Sequence, residues 1–159
     1  VFSLCNFIKK IFTFQRDECS ANFNERQAVF RNDIISAKEE VLISSPYVSS
    51  AGSERLIRTY SAMDNKGIAV SLITYPSSRY SDDIKDRIGK IHNNLMMAGI
   101  RMKFADHIPS KYAVIDKEVL WYGSMNLVSN IKEEDDEMRI VNVSVAKALI
   151  DDQTIDIPD

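Results

Sequence analysis

Segments with apolar residues at helical spacing alternate along this 159-residue chain with short segments rich in β-branched residues. This alternation, with a hairpin turning at Asp116–Glu118, predicts an α/β fold built on a mixed sheet. The predicted helices are Asn24–Glu40, Ser53–Lys66, Ser81–Ala98 and Val145–Asp151. The predicted strands are Val41–Ser45, Ile68–Tyr75, Arg101–Ala105, Lys111–Asp116, Val119–Tyr122 and Glu137–Ser144.

Capping residues set the predicted helix ends. Ser53 and Ser81 can accept hydrogen bonds from the first N–H groups of a helix, so both are predicted N-caps. Gly67 is predicted to end the helix that Ser53 begins, because glycine adopts the left-handed C-cap conformation without strain.

The two ends of the chain differ in composition from its body. Residues 1–22 are predicted to be an amphipathic helix or linker, with a membrane-surface role as the alternative; the apolar stretch Val1–Phe14 is too short to span a bilayer. Residues 23–150 are predicted to be the folded domain, and residues 151–159 an acidic tail. Because the chain starts with Val, it is expected to be a piece of a longer protein.

Cysteine usage and charge argue against several classes of protein. Cys5, Cys19, His92 and His107 show neither CxxC nor HExxH spacing, so no metal site or cofactor is expected, and a reduced, cytoplasmic setting is favoured. A net charge of −3 argues against a protein that simply coats nucleic acid. Nine acids, however, lie in Glu133–Glu137 and the tail, which leaves a basic face on the body possible beside the alternative of scattered, solvated bases.

The segments HIPSKYAVIDKEVLWYGSMNL, residues 107–127, and DDEMRI, residues 135–140, carry most of the functional information. They resemble the phospholipase D superfamily, whose motif runs H-x-K-x4-D, then G-S-x-N, then a Glu further on. Six positions at fixed spacing are far more specific than one short motif. The matched residues are Lys111, Asp116, Gly123, Ser124, Asn126 and Glu137.

The resemblance covers roughly residues 23–150 and implies a phospholipase D-like mixed β-sheet flanked by helices on both faces. The chain is similar to the PLD-like domains appended to bacterial helicase-type chains. This resemblance implies a metal-independent phosphodiesterase of the nuclease type. It also implies nucleic acid and a helicase-type parent chain as partners. Family members that carry only one copy of the motif form homodimers, so a homodimer is expected. Lipid phosphatidyl transfer ranks last, and a membrane partner is not expected.

The matched residue types suit phosphate binding. Lys111 supplies a compact positive charge, and Ser124 and Asn126, on a tight turn after Gly123, present donors to the same anion. Together they can stabilise the negative charge that develops during phosphoryl transfer, without a metal ion. The alternative for Lys111, taken alone, is a solvated surface lysine. Strand periodicity places Asp116 on the face opposite Lys111, which predicts a structural role at the hairpin.

The chain departs from the family pattern at Pro109. In the family this position holds the histidine that attacks phosphorus, and the Glu orients that histidine; proline can neither attack nor accept a proton. His107 is the nearby candidate, but on a regular strand it would lie about 13 Å from Lys111 rather than about 7 Å, unless a bulge brings it closer. Two hypotheses stay open: a phosphodiesterase that uses His107, or a catalytically inactive module that binds nucleic acid and dimerises its parent.

Overall fold

A computed structural model describes residues 23–124, 126–129 and 137–153 of the chain. The helices are α1 (Phe23–Ile35), α2 (Ser50–Ser61), α3 (Lys85–Met97) and α4 (Val143–Gln153), with a short 3-10 turn at Ser77–Arg79. The strands are β1 (Glu40–Ser44), β2 (Ala69–Thr74), β3 (Arg101–Phe104), β4 (Lys111–Ile115), β5 (Val119–Gly123) and β6 (Glu137–Val141).

These strands form one mixed sheet in the order β3-β2-β1-β4-β5-β6. β1, β2 and β3 are parallel and are connected through α2 and α3, as parallel neighbours require. β4 is antiparallel to β1, and β4, β5 and β6 are mutually antiparallel neighbours. The end of β1 therefore lies at the same edge of the sheet as the starts of β4 and β6 and the end of β5.

Alternation of side chains along the strands divides the buried residues between two cores. On one face, residues such as Ile43, Leu72 and Trp121 pack with α1, α2 and α3. On the other face, Tyr112 and its neighbours pack with α4. The prediction of a mixed sheet with helices on both faces is thus confirmed.

Three predicted boundaries of the first two helices are wrong. α1 ends at Ile35 rather than at Glu40, because the amides of residues 38–40 bond to the carboxylate of Asp116 instead of continuing the helix. α2 begins at Ser50 and ends at Ser61, so neither Ser53 nor Gly67 marks an end of the helix.

The capping contacts explain where the helices begin. Ser49 is the N-cap of α2, since its hydroxyl accepts from the Gly52 amide at 3.1 Å, whereas the predicted cap, Ser53, is buried and donates to a carbonyl of its own helix. Ser81 lies in a turn before α3, which begins at Lys85. β6 stops at Val141, and the side chain of Asn142 accepts from the amides of residues 144 and 145, so α4 begins earlier than predicted.

Other predictions fall partly outside the described residues. The N-terminal helix, residues 133–136 of the acid run and residues 154–159 of the tail are in this group. α4 continues through Gln153, past the predicted start of the acidic tail. In the part of the chain that the structure describes, no helix is long and apolar enough to cross a membrane.

Asp33, on α1, joins this helix to the last two strands of the sheet. Its carboxylate accepts a hydrogen bond from the indole N–H of Trp121 at 2.7 Å. The guanidinium of Arg139 donates two more, from Nε at 2.8 Å and from Nη2 at 3.0 Å. Because these groups are mostly buried, water replaces the lost contacts poorly if one partner is removed.

We predict that Asp33→Ala lowers the free energy of unfolding by about 2–4 kcal/mol, because it removes the acceptor of a buried indole N–H and of two guanidinium donors. The control is Glu54→Ala, which breaks an exposed pair with Arg58 at 3.8 Å and should cost at most about 0.5 kcal/mol. Urea denaturation followed by circular dichroism measures both. Equal effects of the two substitutions would contradict the role assigned to Asp33.

Candidate functional site

Lys111, Gly123 and Glu137 form a row across three neighbouring strands. Lys111 begins β4 and pairs with Gly123 at the end of β5, which pairs in turn with Glu137 at the start of β6. Two strand spacings separate Lys111 from Glu137, about 10 Å between Cα atoms. Gly123, which lies between them, contributes no side chain to the space between the ammonium and the carboxylate.

A cleft of about 10 Å³, the size of one water molecule, lies along this row of residues. Besides the row itself, its described lining comes from β4, from β5 and from the loop of residues 126–129. The described lining residues are Lys111, Tyr112, Trp121, Tyr122, Gly123, Leu127 and Glu137. The cleft thus brings a lysine and a carboxylate together on the face of the sheet that Trp121 shares, whereas Tyr112 and Tyr122 point to the opposite face.

The ammonium of Lys111 lies over the end of β5. It donates a hydrogen bond to the carbonyl oxygen of Ser124 at 2.8 Å. An ammonium group carries three donors, so this contact leaves capacity for an anion at the same position. The side chain of Ser124 is exposed, which makes its hydroxyl accessible from solvent.

The carboxylate of Glu137 is held by a residue that the motif does not contain. Arg26, on α1, donates from Nε to Glu137 Oε1 at 3.2 Å, and the Glu137 side chain is only 3% exposed. A carboxylate this deeply buried is stabilised by a charged partner. Sequence analysis missed Arg26, because nothing in the spacing of residues shows that α1 lies against the start of β6.

The loop that carries Asn126 is anchored to the junction between β1 and α2. The Val128 amide donates to the Ser45 hydroxyl at 3.3 Å, and the Val128 carbonyl accepts from the Ser49 amide at 3.1 Å. Arg55, on α2, donates to the carbonyl of Ser129 at 2.6 Å. These contacts hold the loop backbone at residues 128 and 129, shortly after Asn126.

Gly52 permits the close approach of α2 to this loop. A Cβ atom at position 52 would lie 2.1 Å from the carbonyl oxygen of Val128, which is far inside van der Waals contact. Gly52 lies within α2, and the Val128 carbonyl accepts a hydrogen bond from the Ser49 amide. The two backbone segments therefore cannot move apart without losing hydrogen bonds. The glycine is thus required by packing rather than by its own dihedral angles.

We predict that Gly52→Ala displaces the loop of residues 126–129 and costs about 2–4 kcal/mol of stability, as overpacking of a rigid contact does. Gly89→Ala is the matched control, because Gly89 is also helical and a Cβ there meets only a side-chain hydroxyl at 4.0 Å. That substitution should be neutral or stabilising by up to about 1 kcal/mol. Thermal unfolding distinguishes them, and a tolerated Gly52→Ala would contradict the argument.

Asp116, the remaining acid of the matched motif, lies at the β4–β5 hairpin. Its carboxylate accepts hydrogen bonds from the amides of Lys38, Glu39 and Glu40, at distances from 2.8 to 3.1 Å. Asp116 and Lys117 both have φ of 54°, which suits the tight turn between the two strands. These contacts tie the hairpin to the connection between α1 and β1.

Neither histidine lies among the described residues that line the cleft. His107 and Pro109 are exposed in the connection before β4, on either side of Ile108, which is buried against Ile73. His92 is 3% exposed within α3, with its ring 5.0 Å from that of Phe104, and this burial lowers the pKa of His92. In the described ranges, no group of three or more His, Cys, Asp or Glu could hold a metal ion.

Comparison with solved structures supports the fold. The chain is similar to Nuc from Salmonella typhimurium, a phospholipase D family member, with 15% identity, 84% of this chain and 89% of that chain covered, and a TM-score of 0.61. NucT from Helicobacter pylori matches with 17% identity, coverage of 84% and 90%, and a TM-score of 0.61. TrmBL2, an archaeal chromatin protein whose structure shows a mode of DNA binding, matches with 10% identity, coverage of 92% and 56%, and a TM-score of 0.52.

Comparison with protein families gives the classification. A search of curated proteins finds no significant match. The family described as "Cardiolipin synthase, PLD-like domain" matches residues 30–152, which is most of the chain and includes all six matched motif positions. The chain therefore belongs to the family of PLD-like domains.

Proposed function

We propose that this chain is a PLD-like domain that binds the phosphate backbone of nucleic acid and that lacks the group needed to cleave it. The observation that carries this proposal is the composition of the cleft. Its described lining includes Lys111 and Glu137 but no histidine, and the position two residues before Lys111 is Pro109. The domain thus keeps a binding charge while the attacking group of the family is missing.

In the proposed complex, the phosphate binds between β4 and the turn after β5. Lys111 provides the positive charge, and a phosphate oxygen competes with the Ser124 carbonyl for one of its donors. The Ser124 hydroxyl and the Asn126 amide group supply neutral donors to the same anion. No residue in this set has to transfer a proton, so the set suits binding rather than turnover.

The pairing of Glu137 with Arg26 supports a binding role. In the family this carboxylate orients the attacking histidine, as an acceptor does for an imidazole N–H. Here Oε1 accepts from the guanidinium of Arg26 instead. Arg26 therefore stabilises the buried carboxylate in the absence of a histidine at position 109.

Nucleic acid is the proposed ligand on two grounds. TrmBL2, whose fold is shared, is a DNA-binding chromatin protein, and the nine acids of residues 133–137 and the tail leave the remaining chain with a net positive charge. A helicase-type parent chain and a homodimer complete the proposal by analogy with the family. Met138, exposed on the outermost strand β6 next to Glu137, supplies apolar surface for a second copy.

A second candidate function is metal-independent phosphodiesterase activity with His107 as nucleophile. The connection from Ala105 to Ser110 is not a strand, so the distance of about 13 Å that a regular strand would give does not apply to His107. The imidazole is exposed and carries two nitrogens, one of which can attack phosphorus. If this second function is correct, the unmodified chain cleaves nucleic acid without a metal ion.

We predict that the unmodified chain binds but does not cleave single- or double-stranded DNA in excess EDTA, and that Pro109→His produces cleavage because it restores the attacking group. Pro109→Gln is the control, because it removes the proline without supplying an imidazole. Adding Lys111→Ala to Pro109→His should reduce cleavage at least 100-fold, as loss of a charge-stabilising donor does.

Other results would overturn the proposal in distinguishable ways. Cleavage by the unmodified chain that is lost in His107→Gln would establish the phosphodiesterase instead. A chain that neither binds DNA nor gains cleavage in Pro109→His would contradict both candidate functions.

A further inference from the structure

A groove separate from the cleft lies between α1 and α2. It has a volume of about 280 Å³, and apolar side chains of both helices and of β1 form its floor. Polar and charged side chains of α1 and α2 form its rim. The described lining residues are Gln27, Phe30, Arg31, Ile34, Ile43, Arg55, Leu56, Arg58, Thr59, Leu127 and Val128.

The groove concentrates positive charge. Arg31, Arg55 and Arg58 line it, and none of its described lining residues is a carboxylate. Burial, and to a smaller extent the neighbouring charge of Arg58, lowers the pKa of Arg55. Glu54 contacts Arg58 from outside at 3.8 Å, but both side chains are about two-thirds exposed, so solvent screens this pair.

The groove adjoins the phosphate cleft. Leu127 lines both, and the loop of residues 126–129 separates the two. Arg55 faces the groove and also donates to the carbonyl of Ser129, at the end of that loop. A nucleic-acid strand with one phosphate bound at Lys111 can therefore continue along the protein surface into the groove.

We propose that this groove binds a second phosphate of a single-stranded nucleic acid whose first phosphate is bound at Lys111, a proposal that rests on the proposed function. Arg31 and Arg58 contact the phosphate, since guanidinium groups match the geometry of its oxygens. The sugar and an unstacked base pack on the apolar floor around Phe30 and Leu56. A single strand fits this floor because its bases are accessible, whereas those of a duplex are stacked inside.

The test is the salt dependence of binding, measured by fluorescence anisotropy of a labelled oligothymidylate with the full chain. Arg31→Gln/Arg58→Gln should weaken binding at least 10-fold at low salt. It should also reduce the slope of log K against log salt by about 0.7, as expected for one fewer neutralised phosphate. Arg87→Gln/Arg101→Gln, on exposed positions of α3 and β3, is the control with the same charge change.

The outcomes separate this proposal from the one on which it rests. An unmodified chain that does not bind oligothymidylate overturns both. If the unmodified chain binds and the two double variants lose the same affinity and slope, the groove proposal alone fails. It also fails if Arg31→Gln/Arg58→Gln keeps its oligothymidylate affinity but loses binding to phosphatidylglycerol vesicles, which would assign the groove to lipid.

Discussion

Two arginine–carboxylate pairs between α1 and β6 hold the candidate site together. β6 is the last strand of the described sheet, so hydrogen bonds to β5 secure it on one side only. Asp33 binds Arg139 on this strand, and Arg26 binds Glu137 at its start. Glu137 and Arg139 are two residues apart and therefore face α1 together. The charges that position the helix thus also place one wall of the cleft.

The opposite wall depends on backbone packing rather than on charge. The loop that carries Asn126 is fixed through Ser45, Ser49 and Arg55, and Gly52 allows α2 to approach it closely. This arrangement places polar groups on a loop that is rigidly supported by regular elements, as binding sites require. It also separates the cleft from the groove between α1 and α2 by a single segment of chain.

Much of the fold could be predicted from the sequence because its strands are short, rich in β-branched residues and separated by helical patterns. The motif spacing also indicated Lys111 and Glu137 as site residues, and the structure places both in one row across Gly123. The end of α1 could not be predicted in this way, since it depends on a carboxylate, Asp116, that is almost 80 residues further along the chain.

The partners of the site escaped prediction for the same physical reason. Arg26 and Asp33 lie on a helix whose pattern shows only that one face is buried, not which strand it covers. The arginines of the groove come from two helices, and their proximity appears only when those helices pack on the sheet. Local patterns therefore predicted the elements, while contacts between distant segments decided which charges meet.

We propose that the cleft of this domain binds a phosphate although proline replaces the attacking histidine of the family at position 109. A crystal structure of the unmodified chain soaked with tungstate, an electron-dense analogue of phosphate, tests it most directly. We expect the anion beside Lys111 Nζ, within hydrogen-bonding distance of the side chains of Ser124 and Asn126, with Arg26 still bound to Glu137. An empty cleft, with Lys111 still donating to the Ser124 carbonyl at saturating tungstate, would contradict it.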